Sequence, residues 1–190
     1  MRHGAAAFLV GVVCMAVSCR SARVAHGAVL DVPGAISVAR LRPAGRVERH
    51  VIAEGVCGSA TFRSLVETIE RSDLVVHVSM RWLGDRRLSG RLDFLTATAS
   101  QRVLRATLGL PLDRVGRIAV LGHELQHASE VAGAPDLRTR AAFAAYYRTH
   151  GRPGGIEWAY DTDAARQVEL QIRVELARSG PCSVDLTDSV

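Results

Sequence analysis

Lysine is absent from this chain: all 24 basic residues are arginine. They are scattered and interleaved with Asp and Glu, with no basic run beyond pairs such as Arg86-Arg87. A formal charge of +5 spread in this way excludes a nucleic-acid groove as the main reading. Internal repeats and low-complexity tracts are also missing, which excludes a stacked-repeat array. No apolar run reaches the roughly 20 residues that a membrane span requires. What 190 residues at 48% hydrophobic content do allow is one domain with a real core, and not two comfortable ones.

The longest apolar run, "AAAFLVGVVCMAV" at residues 5–17 behind Arg2 and His3, has the length of a signal-peptide core. Residues 1–18 therefore read as a targeting segment. The run ends in "AVSC" at residues 16–19, which resembles the bacterial lipobox, with Ala16 where the pattern has Leu. That resemblance implies a lipidated, N-terminal Cys19 and a protein anchored to a membrane of the cell envelope. Ordinary signal-peptidase cleavage near "ARVAHGA" at residues 22–28, giving a secreted soluble protein, is the other reading. Both routes lead out of the cytoplasm. Cysteine is scarce as well. Of four, Cys14 lies in the targeting segment and Cys19 would carry lipid, which leaves Cys57 and Cys182. Two cysteines in an oxidising compartment are more often a disulfide than a metal pair. A bridge closing so long a loop is worth on the order of 4 kcal/mol.

Residues 19–45 read as a tether with at most one short strand, broken by Pro33, Gly34, Pro43 and Gly45. A single domain is expected over 46–190. "SATFRSLVETIERSD" at 59–73 places Phe62, Leu65, Val66 and Ile69 at helical spacing, with Ser59 or Thr61 as cap. "LVVHVSMRW" at 74–82 is rich in β-branched residues and reads as a strand. "RLDFLTAT" and "QRVLRATL" read as two more, joined near Ser100. From Asp113 the period turns helical through Val115, Ile118, Leu121, Leu125 and Ala128, with Gly133 and Pro135 as the stop. Two further helices are expected, over 137–150 and from about Ile156 to Arg178. The architecture is thus α+β: a small, mostly antiparallel sheet packed against the 113–133 helix and further C-terminal helices.

Inside that helix lies "GHELQHASE", residues 122–130. His123 and His127 stand at i and i+4, so both imidazoles project from one helical face about one turn apart. That spacing lets two ring nitrogens approach one ion. Glu124 is rotated by about 100° from His123, which suits a water molecule better than the ion itself. This is the HExxH pattern, whose chemistry is two zinc-binding histidines with the glutamate as general base. A solvated face of paired polar side chains is the bland alternative. The apolar flanks in "AVLGHELQHA" speak against it, because they imply burial, and buried imidazoles need partners.

On these residues the chain resembles a zincin-type metallopeptidase, the superfamily defined by HExxH on an active-site helix packed against a small sheet. "ERSDLVVHV", "LGHELQHASE" and "YDTDAARQVELQIRVEL" also make residues 57–178 similar to a group of bacterial exported proteins with a GHELQHA motif. The likeness implies Zn2+ as cofactor and a peptide or protein as substrate.

A catalytic zinc needs a third protein ligand and an open position. Glu130 shares the histidine face but lies about 10 Å along the axis from His123, which makes it a partner of a ligand rather than a ligand. Metzincins carry a glycine where Glu130 stands, so that subfamily is disfavoured. Asp161 falls on the apolar stripe of the expected last helix, with Trp158, Ala165, Val168, Ile172 and Leu176. A carboxylate on a buried stripe needs a cation or hydrogen bonds, so Asp161 is the expected third ligand. Glu157 is the alternative, and a plain first-turn carboxylate favoured by the helix dipole is the bland one. Gluzincins place a glutamate in this role. Tyr146, Tyr147 and His150 are candidate oxyanion donors, and His77 reads as a sheet residue. The expected function is an exported, membrane-anchored zinc metallopeptidase. A non-catalytic zinc-binding envelope lipoprotein and a zinc hydrolase of non-peptide amides are the competitors.

Overall fold

The computed structural model describes residues 38–153 and 160–182. The expected targeting segment, the lipobox and most of the tether lie outside the described residues, as do Glu157 and Trp158. The protein is a mixed α+β fold with one four-stranded sheet and five helices among the described residues. None of these helices is long and apolar enough to cross a membrane.

The chain enters the sheet at β1 (Leu41–Pro43), inside the segment read as tether, so the folded part starts before residue 46. Helices α1 (Arg46–Gly58) and α2 (Ala60–Glu70) follow. The sequence reading contains no counterpart of α1, because Gly55 and Gly58 weaken its helical signal. Packing explains both glycines. A Cβ on Gly55 would stand 2.8 Å from the Phe62 ring, and one on Gly58 2.8 Å from Leu176. Ser59 caps α2 by accepting a hydrogen bond from the Phe62 amide, and Phe62, Leu65, Val66 and Ile69 form the buried stripe that their spacing implies.

Strands β2 (Leu74–Arg81), β3 (Gly90–Ala97) and β4 (Arg102–Gly109) stand close to their expected places, but the sheet is not mostly antiparallel. Its order is β1-β2-β4-β3, with β1 and β4 both parallel to β2 and only β3 antiparallel to β4. Two causes act together. Helices α1 and α2 form the crossover that parallel pairing of β1 and β2 requires. The connection over 82–89 carries β3 past the neighbouring position to the sheet edge, so β4 returns into the centre. There Leu104, Ala106 and Leu108 are fully buried, as a central strand demands.

Helix α3 (Arg114–Ala132), capped by Asp113, which accepts from the Gly116 amide, is buried nearly all round. It lies between the sheet and α5 (Asp163–Ser179), with α4 (Arg140–His150) beside β3. A Cβ on Gly122 would collide with Ile172, so this glycine lets α3 and α5 pack backbone to side chain. The last helix is shorter than expected. Thr162 caps it by accepting from the Ala165 amide, and Tyr160–Asp161 form a short strand, β6, paired with β5 (Arg152–Pro153).

Cys57 and Cys182 form the expected disulfide, with their Cα atoms 6.2 Å apart, and join the chain beyond α5 to α1. Close by, Glu175 of α5 accepts hydrogen bonds from the Ser59 hydroxyl at 2.5 Å, the Thr61 hydroxyl at 2.7 Å and the Thr61 amide at 3.0 Å. Burial pushes its carboxyl up, but these donors and Gln171 outweigh burial and hold it at about 2. A carboxyl depressed in the folded state stabilises above its unfolded pKa, roughly 4.3, and loses that contribution as pH falls through the folded value. The stability gap between wild type and Glu175→Gln is therefore expected to close between pH of about 4.3 and about 2. Urea midpoints across that range measure it, and a gap independent of pH contradicts the assignment.

Candidate metal centre

Three donor atoms converge between α3 and β6. His123 and His127, one turn apart on α3, turn their Nε2 atoms toward Oδ1 of Asp161, at 3.2 and 3.6 Å. All three potential ligand atoms lie within 4.8 Å of one another. The structure thus brings together the three residues singled out from sequence, though Asp161 does not sit on a helix. It occupies β6, immediately before the Thr162 cap, and the strand rather than an apolar helical stripe aims its carboxylate. The cap stops the helix there because Thr162 takes an extended conformation and offers its hydroxyl to the first turn.

The opposite ring nitrogens are held by acids. Nδ1 of His123 lies 3.1 Å from Glu169 of α5, and Nδ1 of His127 lies 3.0 Å from Glu130 one turn on. Glu130 in turn accepts from the Thr162 hydroxyl at 2.7 Å, which ties α3 to the start of α5. Glu130 therefore supports a histidine rather than reaching the convergence point. Glu169 is the residue that the sequence reading missed. Its signal was present: it lies four residues after Ala165 and three before Ile172, an acid beside a buried stripe.

Charges in this cluster are strongly coupled. Burial pulls the His123 imidazole down, but the Asp161 and Glu169 carboxylates and the charge of Glu124 overcome it and lift the ring to about 10. For His127 burial is again outweighed, here by Asp161, Glu130 and Glu124, and the ring rises to about 9. Burial opposes ionisation of Asp161, yet the two histidines and Arg166, whose Nε donates to Oδ2 at 2.7 Å, hold its carboxyl well below the usual range. Oδ1 of Asp161 is buried and meets both Nε2 atoms, at 3.2 and 3.6 Å, with neither contact aligned as a hydrogen bond. A buried carboxylate oxygen facing two ring nitrogens whose far sides are already engaged is a donor set that fits one cation in place of the ring protons.

Glu124 is only 4% exposed, and burial raises its carboxyl above the ordinary glutamate value, against the pull of His127 and His123. Gly90, the first residue of β3, allows this placement, because a Cβ there would overlap Oε1 of Glu124. The cluster forms the floor of a cavity of about 700 Å3. One wall is the start of β3 with the loop before it, and the other is α4 with Phe143, Ala144 and Tyr147.

Among the expected oxyanion donors, Tyr147 lines the cavity, but its hydroxyl donates to the His127 carbonyl at 2.9 Å. Its ring packs edge-on against the His127 ring at 5.1 Å, so it buttresses the ligand helix. Tyr146 and His150 stack on each other at 4.3 Å outside the cavity lining. His77 stands exposed on β2, on the strand side away from the helices. Comparison with protein-family models, with curated proteins and with solved structures finds no match to this chain.

Proposed function

We propose that this chain is an exported zinc-dependent metallopeptidase of zincin type, in which His123, His127 and Asp161 hold the ion and Glu124 is the general base. The observation that carries this reading is the meeting of two Nε2 atoms with a buried Oδ1 beside a buried glutamate. Two imidazoles and one carboxylate are donors suited to zinc, and three protein donors leave a position open. When bound, the ion supplies Lewis acidity that polarises a carbonyl and acidifies water.

The remaining work falls to side chains of this chain. Glu124, kept basic by burial, accepts the proton of the attacking water and delivers it to the departing amine. Glu169 and Glu130 accept from the Nδ1 side of the rings, which fixes the tautomer that presents Nε2 and makes each ring a better donor. Strand β3 favours a peptide over other amides as substrate. Among the described residues it is a sheet edge, bonded on one side to β4 alone, and residues 87–93 border the cavity, so an extended chain can pair along it.

Metal content is the direct test. Purified full-length protein is expected to hold about one zinc per chain, and Asp161→Ala to lose it in competition with a mild chelator. Calorimetry on metal-free protein adds a second signature. Because His123 and His127 are held at about 10 and about 9, both carry protons at neutral pH, and zinc must displace about two of them. Apparent affinity therefore rises with pH until both rings are neutral. Equal zinc in the Asp161→Ala variant, or none in wild type, overturns the ligand set.

A further inference from the structure

Helices pack against only one side of the four-stranded sheet among the described residues, the side formed by Leu74, Val76, Val78, Leu104, Ala106 and Leu108. The other side is mixed: Val75, 6% exposed, and Val103 form an apolar row at one end, and the row beside it is polar and basic. Pairing sets Arg42 of β1, His77 of β2, Arg105 of β4 and Asp93 of β3 next to one another, in one row across all four strands. The adjacent row holds Ser79, Thr107 and Arg91, of which Thr107 is fully buried and only Arg91 is exposed. Strand alternation puts Arg81 on this side too. Four arginines so share a face on which the one strand acid, Asp93, is already paired with Arg91 at 3.0 Å. Burial and the charges of Arg42 and Arg105 hold His77 below its ordinary pKa, so the row is positive without it.

We propose that this sheet face rests on an anionic lipid surface. The occupant follows from charge and chain path. The chain reaches β1, the strand carrying Arg42, from Cys19 through residues 20–37, a length that spans at most roughly 65 Å. A lipid on Cys19 would keep the face near the bilayer at high effective concentration. A single acyl anchor gains stability from a second, electrostatic contact. In this pose α3 and its donor atoms lie on the far side of the sheet from the lipid. The choice of occupant rests on the exported, lipid-anchored reading, whereas the basic face is testable without it.

The test uses the full chain carrying Cys19→Ser, which blocks lipidation, and vesicles of phosphatidylcholine alone or mixed with phosphatidylglycerol, with the bound fraction read by flotation. Each basic side chain near an anionic surface contributes about fivefold. Arg42→Gln/Arg105→Gln is therefore expected to lose about twentyfold of its binding to the mixed vesicles and none of its binding to neutral ones, where the apolar segment at 5–17 acts. Added salt should weaken wild-type binding to the mixed vesicles more steeply than that of the variant, which keeps Arg81 and Arg91. Arg140→Gln/Arg178→Gln makes the same charge change on the exposed sides of α4 and α5 and should leave binding within about twofold. Circular dichroism checks that both variants fold. Equal losses from the two pairs, no dependence on phosphatidylglycerol, or tighter binding to duplex DNA than to the mixed vesicles at matched salt overturns the proposal. Neither zinc nor hydrolysis enters this measurement, so its failure leaves the metallopeptidase reading standing, and the reverse holds.

Discussion

Glu124→Gln is expected to leave the protein folded and zinc-loaded while peptide hydrolysis falls by about 10² to 10⁴. Glutamine keeps the shape of glutamate in a site where Gly90 and Val120 leave little room, and it removes only the ability to take a proton. The three ligand atoms belong to other residues, so the ion should stay. Quenched-fluorescent peptides report hydrolysis, and atomic emission on the same sample reports zinc. Loss of both together would mean that Glu124 supports the fold or the metal rather than the proton transfer. Retained hydrolysis would remove it as the base. A wild type that binds zinc tightly and cleaves no peptide would favour the non-catalytic envelope protein instead.

The largest expected loss of stability lies away from the cavity, at Arg102. Its side chain is 2% exposed and reaches from β4 to the C-terminal end of α3. Nη1 donates to the carbonyls of Val131 at 2.6 Å and Ala134 at 2.8 Å, while Nη2 and Nε hold Asp73 at 2.6 and 3.0 Å. Carbonyls at a helix end have spare acceptor capacity, and here one buried guanidinium adds donors to two that already accept from backbone amides. Arg102→Met keeps the apolar stem and removes these donors, leaving the Val131 and Ala134 carbonyls with the Ala134 and Leu137 amides, both at 3.1 Å, and Asp73 with Arg138 at 3.3 Å. Breaking a buried pair in this way costs about 3–5 kcal/mol. Asp73 is 31% exposed, which allows some hydration and favours the lower figure. About 3 kcal/mol corresponds to a fall in Tm of about 10 °C. Thermal unfolding of the variant measures it, and an unchanged Tm would show that water substitutes for the guanidinium at this helix end.

Local features were legible where one residue type has one local use. Asp113 and Ser59 cap helices because their side chains accept from the amide three residues on. The i, i+4 pair His123 and His127 shares a face because helical geometry imposes it. Asp161 is instructive in another way: it stands where the metal reading needs it, but for a different reason. Sequence periodicity placed it on a helical stripe, whereas a threonine cap ends the helix one residue later and a two-residue strand presents the carboxylate. Glu169 is the acid that the α5 helix does carry toward α3, and it meets a histidine on the side away from Asp161.

Sheet topology was not legible, because strand pairing depends on which edges remain open after the helices have packed. Three consecutive strands read most simply as an antiparallel meander. The overlooked helix α1 and the path of residues 82–89 turned two of the three pairings parallel. The arginine face has the same origin: Arg42, Arg81, Arg91 and Arg105 are dispersed along the chain, and only strand register makes them neighbours.

The amino-acid order by itself determined the helix that carries the histidines, the Asp113 and Ser59 caps that start it and α2, and the face on which the two imidazoles stand, since all of these depend on groups within a turn or two of one another. The tertiary structure alone decided which acids meet the two rings, which glycine admits Glu124, and which arginines face outward together. Those contacts join residues distant along the chain, and their positions follow from how a buried helix, a sheet and the last helix share one core.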